Sequence, residues 1–310
     1  MNYSRFIIFF CFSLIFSNNI NSYNSIYNFS KNARIHSLSG IHALSKNIGG
    51  LFYQPISNNK NMTGDTYIAY LNQYSNMIKI IQFGYCLRHD KNKNISIGFI
   101  SRNIENLFNT SNAWDSNDFT VPPQFDEIDY SKITNLKYKD YGFIVSYNKY
   151  FNDSILNYKI KPSYQLIESN YAIGLNIDLM FYKNFTKFDI IFGANDLFSY
   201  KKWNSGIIEN NKRDFFLSNS IIFNNFNVYI EASSIYREKI AIEYNINNML
   251  FCRFGKASNN NLTYGIGLNS NVFEFSYAYI MNNKILGSIY QISLLLKLDG
   301  LSNLKDKLSS

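Results

Sequence analysis

The sequence predicts an all-β chain, an antiparallel transmembrane β-barrel of about fourteen strands. Three observations carry that expectation. From about Leu136 to Leu298 nearly every segment places an apolar residue at each second position, and the alternation resumes after each short polar turn. Side chains of a strand point alternately to its two faces, so such runs have one apolar face and one small or polar face. The chain has 310 residues, 46% apolar and 17% charged, yet its mean hydropathy lies below zero, too low for a helical membrane protein. A barrel has this balance because lumen residues dilute the lipid-facing ones. Finally, 25 Tyr and 27 Phe exceed what one soluble core needs and suit aromatic girdles at two membrane interfaces.

In chain order, Arg5, the apolar run Ile7 to Phe16 and a polar stretch ending near Ser22 have the three regions of a secretory signal, so residues 1–22 are expected to be removed on export. The run is too short to span a bilayer, and no other segment approaches the ~18 uninterrupted apolar residues of a transmembrane helix. Cys11 lacks the small residue that normally precedes a lipoprotein cysteine. Residues 23–62 are read as a Ser- and Asn-rich lead followed by a hatch. Within them, Ala33 to Ser57 fits neither a long helix nor a regular strand, and its Ser39-Gly40 and Gly49-Gly50 steps supply the tight turns a folded plug uses.

The barrel proper is expected over residues 63–298. Early strands are placed at Thr66 to Tyr74, Met77 to Arg88 and Asn94 to Arg102. Residues 103–136 break the alternation with an acidic, proline-bearing loop (Asp115, Asp118, Pro122, Pro123, Asp126, Glu127, Asp129), long enough to imply a role at the wide extracellular end or folded inward. Eleven more strands follow: Lys137 to Tyr150, Ser154 to Glu168, Asn170 to Tyr182, Thr186 to Phe198, Lys212 to Phe223, Asn227 to Tyr236, Lys239 to Ile246, Met249 to Lys256, Leu262 to Asn269, Val272 to Met281 and Ser288 to Leu298. Turns such as Asn152-Asp153, Asn224-Asn225 and Ser270-Asn271 are too brief for a parallel crossover, so neighbours must run antiparallel. Tyr171, Ile173, Leu175, Ile177, Leu179 and Phe181 form a lipid face, with Ala172, Gly174, Asn176 and Asp178 behind it. Pro162 removes a ladder donor from an otherwise good strand, from which a bulge or kink is expected. The polar tail, residues 299–310, falls outside the barrel.

The formal charge of +8 is scattered among Asn residues rather than clustered, so no nucleic-acid footprint exists. With the signal gone, Cys86 and Cys252 remain, in no metal-ligand spacing; unpaired thiols facing lumen or lipid are favoured over a disulfide. His36, His42 and His89 attach to no Ser-His-Asp or paired-carboxylate pattern, and the six-residue step between the first two is not that of a zinc pair. No enzyme activity, metal or other cofactor is expected. Asp178, Glu231, Glu243, Glu274 and Lys297 fall on the polar strand faces, where they are candidates for a lumen charge network, against the simpler reading of ordinary interior polar residues.

Ala33-Arg34, Ser37, Ser39-Gly40-Ile41, Ala43 and then Gly50-Leu51-Phe52-Tyr53-Gln54-Pro55 resemble the start of mature PorV/PorQ-like proteins of the FadL outer-membrane superfamily. The segments Asn109 to Trp114 and Trp203 to Gly206, the latter after a strand expected to end at Asp196-Leu197, look like the same family. The chain departs from the pattern at Gln54, where Asn is usual, and at Asn47, near a usual Asp. The resemblance implies a fourteen-stranded barrel with an N-terminal hatch that includes Ala33, Arg34, Ser39, Gly40, Ala43, Gly50, Leu51, Phe52 and Pro55.

Two functions follow from it: passage of hydrophobic small molecules across the bacterial outer membrane, and service to protein secretion, including a non-conducting scaffold or shuttle barrel for a type IX-like system. Outer-membrane lipid is the expected surrounding, with hydrophobic small molecules or secretion-system proteins as partners. A soluble secreted β-sandwich is the third reading, disfavoured because each strand keeps an apolar outward face.

Overall fold

Alternation becomes strand over most of the chain. A computed structural model describes residues 25–302, except 59, 75, 106, 111, 114–127, 248, 259–260 and 282–286. The expected signal (1–22), most of the acidic loop, Trp114 and the end of the polar tail lie outside the described residues.

Fourteen antiparallel strands close on themselves. They are β1 (Thr66–Gln73), β2 (Ile78–His89), β3 (Lys93–Ile104), β4 (Tyr138–Phe151), β5 (Ser154–Ile167), β6 (Asn170–Phe185) and β7 (Phe188–Trp203), then β8 (Asp214–Ile222), β9 (Phe226–Ser233), β10 (Arg237–Ile246), β11 (Leu250–Ala257), β12 (Leu262–Asn269), β13 (Phe273–Met281) and β14 (Ile289–Leu296). Each strand pairs with its sequence neighbours, and β14 returns to β1 in the register Thr66↔Leu296 to Asn72↔Tyr290. Closure leaves no open edge, the condition for backbone to cross hydrocarbon. Ile208–Glu209 adds a short pairing beside β7, and Phe108–Asn109 pairs with Thr134–Asn135 inside the long loop.

The wall is uneven in height. β6 and β7 have 16 residues each, whereas β11 and β12 have 8. A tilted strand crosses a bilayer in roughly 9–11 residues, so the β4–β7 side stands proud on the side of the long loops. β7 runs to Trp203, not to the expected end near Phe198. The cause is a register shift opposite Ile177 and Leu179, where Asp196 takes a left-handed φ of 52° and the strand resumes beyond it. A second shift interrupts β2 between Cys86 and Arg88.

Pro162 corrects another expectation. The β4–β5 register is the same on both sides of it (Gly142↔Ser163, Val145↔Ile160), so no bulge forms. Proline cannot donate to the ladder, and the Tyr27 hydroxyl comes from inside the barrel to share its one proton between the Phe143 carbonyl, 3.1 Å away, and the Pro162 carbonyl. Gly142 makes room for it, since a Cβ there would stand 2.8 Å from the Tyr27 ring.

The outward face is apolar as the alternation requires. Ile81, Phe83, Phe143, Ile160, Ile173, Phe192, Ile230, Ile240 and Ile266 are all exposed. Cys252 shares this face, while Cys86 points inward, buried and free, its sulfur accepting from Asn94.

Candidate functional site

The lumen holds residues 25–57, which fold as a 3-10 turn (Ile26–Phe29), a short helix α1 (Ala33–Ser37) and a second 3-10 turn (Ile48–Phe52). Asn32 caps α1 by accepting the Ile35 amide, and Asn47 caps the second turn through the Gly49 amide. Gly40, at φ 74°, closes α1 in the left-handed conformation, its amide donating to the Ile35 carbonyl. The Pro55 carbonyl accepts the Ser45 amide, and Ser45 bridges to Ile56, folding the end of the segment back on itself.

One side of the contact is apolar. Ile26, Tyr27, Ile48, Leu51, Phe52 and Ile56 pack on inward Tyr67, Leu71, Ile80, Ile100, Ile144 and Leu295. A Cβ at Gly98 would stand 2.5 Å from Leu51 and one at Gly84 2.7 Å from it, so both glycines are places where the segment reaches the wall backbone. Gly265 is held the same way against Ser37.

The opposite side adds buried charge to a smaller apolar cluster, in which Ile35, Leu38, Ile41, Ala43 and Tyr53 meet Tyr229 and Ala241. Glu243 binds Arg34 through both oxygens at 2.9 Å and takes a third bond from Arg253 at 2.6 Å; Tyr229 lies within 3.0 Å of both Arg34 and Glu243. Glu231 accepts the His42 amide at 2.6 Å and faces His42 Nδ1 at 2.8 Å, while Lys239 reaches its other oxygen at 2.6 Å. His42 is stacked between Phe216 and Tyr53, with centroids 3.5 and 4.1 Å away. Burial holds this imidazole neutral, pulling its pKa to about 4 against the opposing pull of Glu231. Its neighbour in the segment, His36, is lowered to about 3, first by burial and then by Lys31.

A third cluster is built on wall residues, with the Lys161 ammonium 5.0 Å from the ring centroid of Tyr27. Lys161 contacts Asp178 at 2.6 Å and Asp196 at 3.0 Å, and the Asp196 amide freed by the register shift donates to Asp178 at 2.8 Å.

The residues singled out from sequence thus fall in distinct places. Asp178, Glu231 and Glu243 are buried inward, each against a basic side chain. Glu274 instead receives Asn47 at 2.9 Å. Lys297 sits past the end of β14 and bonds Asn269 and the Ser270 carbonyl at the short-turn rim, apart from the others. Arg34, Ser39, Gly40, Ala43, Gly50, Leu51 and Phe52 all belong to the segment inside the lumen; Ala33 is fully buried, Ser39 meets Thr263 and Ala43 packs beside Tyr229 and Ala241. Lys161, Asp196, Lys239 and Arg253 were not anticipated. Lys161 was legible, because it falls on the inward phase of the same alternation that puts Tyr158 and Ile160 outside; Asp196 was hidden by the register shift.

No family model matches the sequence, and no curated protein matches it. Solved structures do match the fold. The toluene transporter TodX of Pseudomonas putida is 10% identical with a TM-score of 0.59, over 89% of this chain and 97% of that one. A FadL homologue of Pseudomonas aeruginosa is 7% identical with a TM-score of 0.52, over 86% of this chain and 98% of that one. The class the fold defines is that of closed antiparallel β-barrels. Within it, the fold is like that of TodX and of the FadL homologue.

Proposed function

We propose that the protein is an outer-membrane channel for hydrophobic small molecules in which residues 25–57 act as a hatch. The observation that supports this is the apolar inward patch of Leu71, Ile80, Ile100, Ile144 and Leu295. A purely aqueous pore has polar inward positions. An apolar strip covered by a separate segment becomes a path for an apolar solute when that segment shifts. Likeness of fold to a toluene transporter supports the same direction. Uptake of labelled toluene should fall in a strain lacking the gene and return with the wild-type chain. Uptake that is identical with and without the gene would defeat the transport reading.

A non-conducting barrel serving protein secretion, the PorV-like role, is the second reading. It is favoured by one observation: Glu231 and Glu243 clamp the segment in place with bonds of 2.6–2.9 Å. Secreted proteins that co-purify with the detergent-extracted barrel would favour this reading over transport. Removal of residues 33–57 separates the two further, since a hatch variant should still fold and become permeable.

A further inference from the structure

A cavity of about 470 Å³ lies at the long-loop end of the lumen, between residues 28–40 and the ends of β9 to β14. Every side chain lining it that is charged near neutral pH is basic: Lys31, Arg237 and Lys239. Lys239 is matched by Glu231. Lys31 is not matched by contact. Its ammonium lies 5.2 Å from the ring centroids of both Tyr53 and Tyr236, with no carboxylate of the described residues within ion-pair distance. Lys239 stands at the same 5.2 Å from Tyr236, so two ammonium groups share one ring and only one has a contacting carboxylate. Asp214 and Glu231 act on Lys31 only at longer range; Asp214 lines an adjoining, smaller cavity that shares Asn28, Lys31, Ile235 and Tyr236 with this one.

Two further observations concern the ligand. His36 is 7% exposed, and its Nδ1 is buried without a hydrogen-bond partner, an unusual state for a polar atom. The rest of the lining includes Phe29, Ile235, Ile280 and Ile289, an apolar surface beside the basic one. The volume lies in the range of pockets that enclose small organic ligands.

We propose that this cavity binds a compact organic carboxylate of about benzoate size, with its carboxylate on Lys31 and its apolar body against Phe29, Ile235 and Ile289. The anion completes the charge of Lys31. The inference goes beyond the transport reading, because binding stands or falls whether or not the barrel conducts.

The test uses the purified full chain in detergent, its folding checked by heat-modifiable migration, titrated by calorimetry with benzoate, the neutral isostere benzamide, and inorganic phosphate. Benzoate should bind at least about tenfold more tightly than benzamide, the factor one charge-assisted hydrogen bond supplies. Phosphate should not displace it at equal concentration. Lys31→Met should lower benzoate affinity by about tenfold while Lys31→Arg retains most of it, and Arg237→Gln at the rim should weaken it by a smaller factor. Equal affinity for benzoate and benzamide in the wild type overturns the proposal without recourse to any variant. So does displacement by phosphate, or benzoate binding unchanged in a folded Lys31→Met protein.

Discussion

The two sides of the lumen hold the same inner segment by different physics. Against β1 to β4, Leu51 and Phe52 rest on apolar side chains and bare glycines. Against β8 to β11, Arg34 and His42 are held by Glu243 and Glu231. Apolar contact is non-directional and falls off gradually as atoms are removed. A buried charge set fails abruptly, because removing one member leaves its partners charged and unpaired. The apolar side can therefore slide or repack, while the ionic side fixes position.

The largest effect should come from the ionic side. Glu243→Gln leaves Arg34 and Arg253 without their counter-charge and should destabilise the folded barrel by about 3–5 kcal/mol in urea titrations into lipid vesicles. A loss below that of the apolar variant would remove the contrast. That variant, Leu51→Ala, should lose about 2–4 kcal/mol through lost transfer energy and the void left between Gly84 and Gly98. The same titration measures it.

Acid should act through the ionic side too. His42 has a pKa lowered by burial to about 4, below the ordinary value of about 6.5 it regains on unfolding. Its neutral, buried state is at no disadvantage above about pH 6.5; as pH falls from there towards 4 the unfolded chain takes up a proton that the folded chain refuses, and stability is lost. Comparing urea midpoints of wild type and His42→Gln across that window isolates this term. A wild-type slope no steeper than that of the variant would contradict a neutral His42.

The smallest effect is expected at Tyr27. Tyr27→Phe should cost about 0.5–1.5 kcal/mol, one hydroxyl's worth of hydrogen bonding, leaving the Phe143 carbonyl short of a donor. Replacing Pro162 as well, Pro162→Val, returns an amide to the ladder and should shrink that cost. A double variant as damaged as the sum of the singles would show that Tyr27 and Pro162 are not coupled through that gap.

Most of the barrel was legible because period-two alternation is a local property, and the inward or outward phase of Ile177, Glu231 or Ile292 can be read from a few neighbours. What escaped was non-local. Asp196 enters the lumen only because its strand shifts register against β6, and no run of residues near it announces that shift. The ionic side was half visible: the acids Glu231 and Glu243 were placed on the polar face, but Arg34 came only through resemblance and Lys239 and Arg253 not at all. Which base meets which acid depends on how residues 25–57 thread the closed wall, a matter of three-dimensional path. Pro162 taught the converse, since a strand-breaking residue was tolerated by a donor borrowed from over a hundred positions away.

The glycines of the apolar side carry a further consequence, for how the chain can diverge. Leu51 occupies the volume that Cβ atoms at Gly84 and Gly98 would need. Alanine at either glycine forces the Leu51 methyls to shift while Leu51 keeps its size, and is accommodated more readily once position 51 has shrunk. Related sequences should therefore trade bulk between these distant positions, with a small residue at 51 accompanying larger ones at 84 or 98, as a cast and its mould must be recut together.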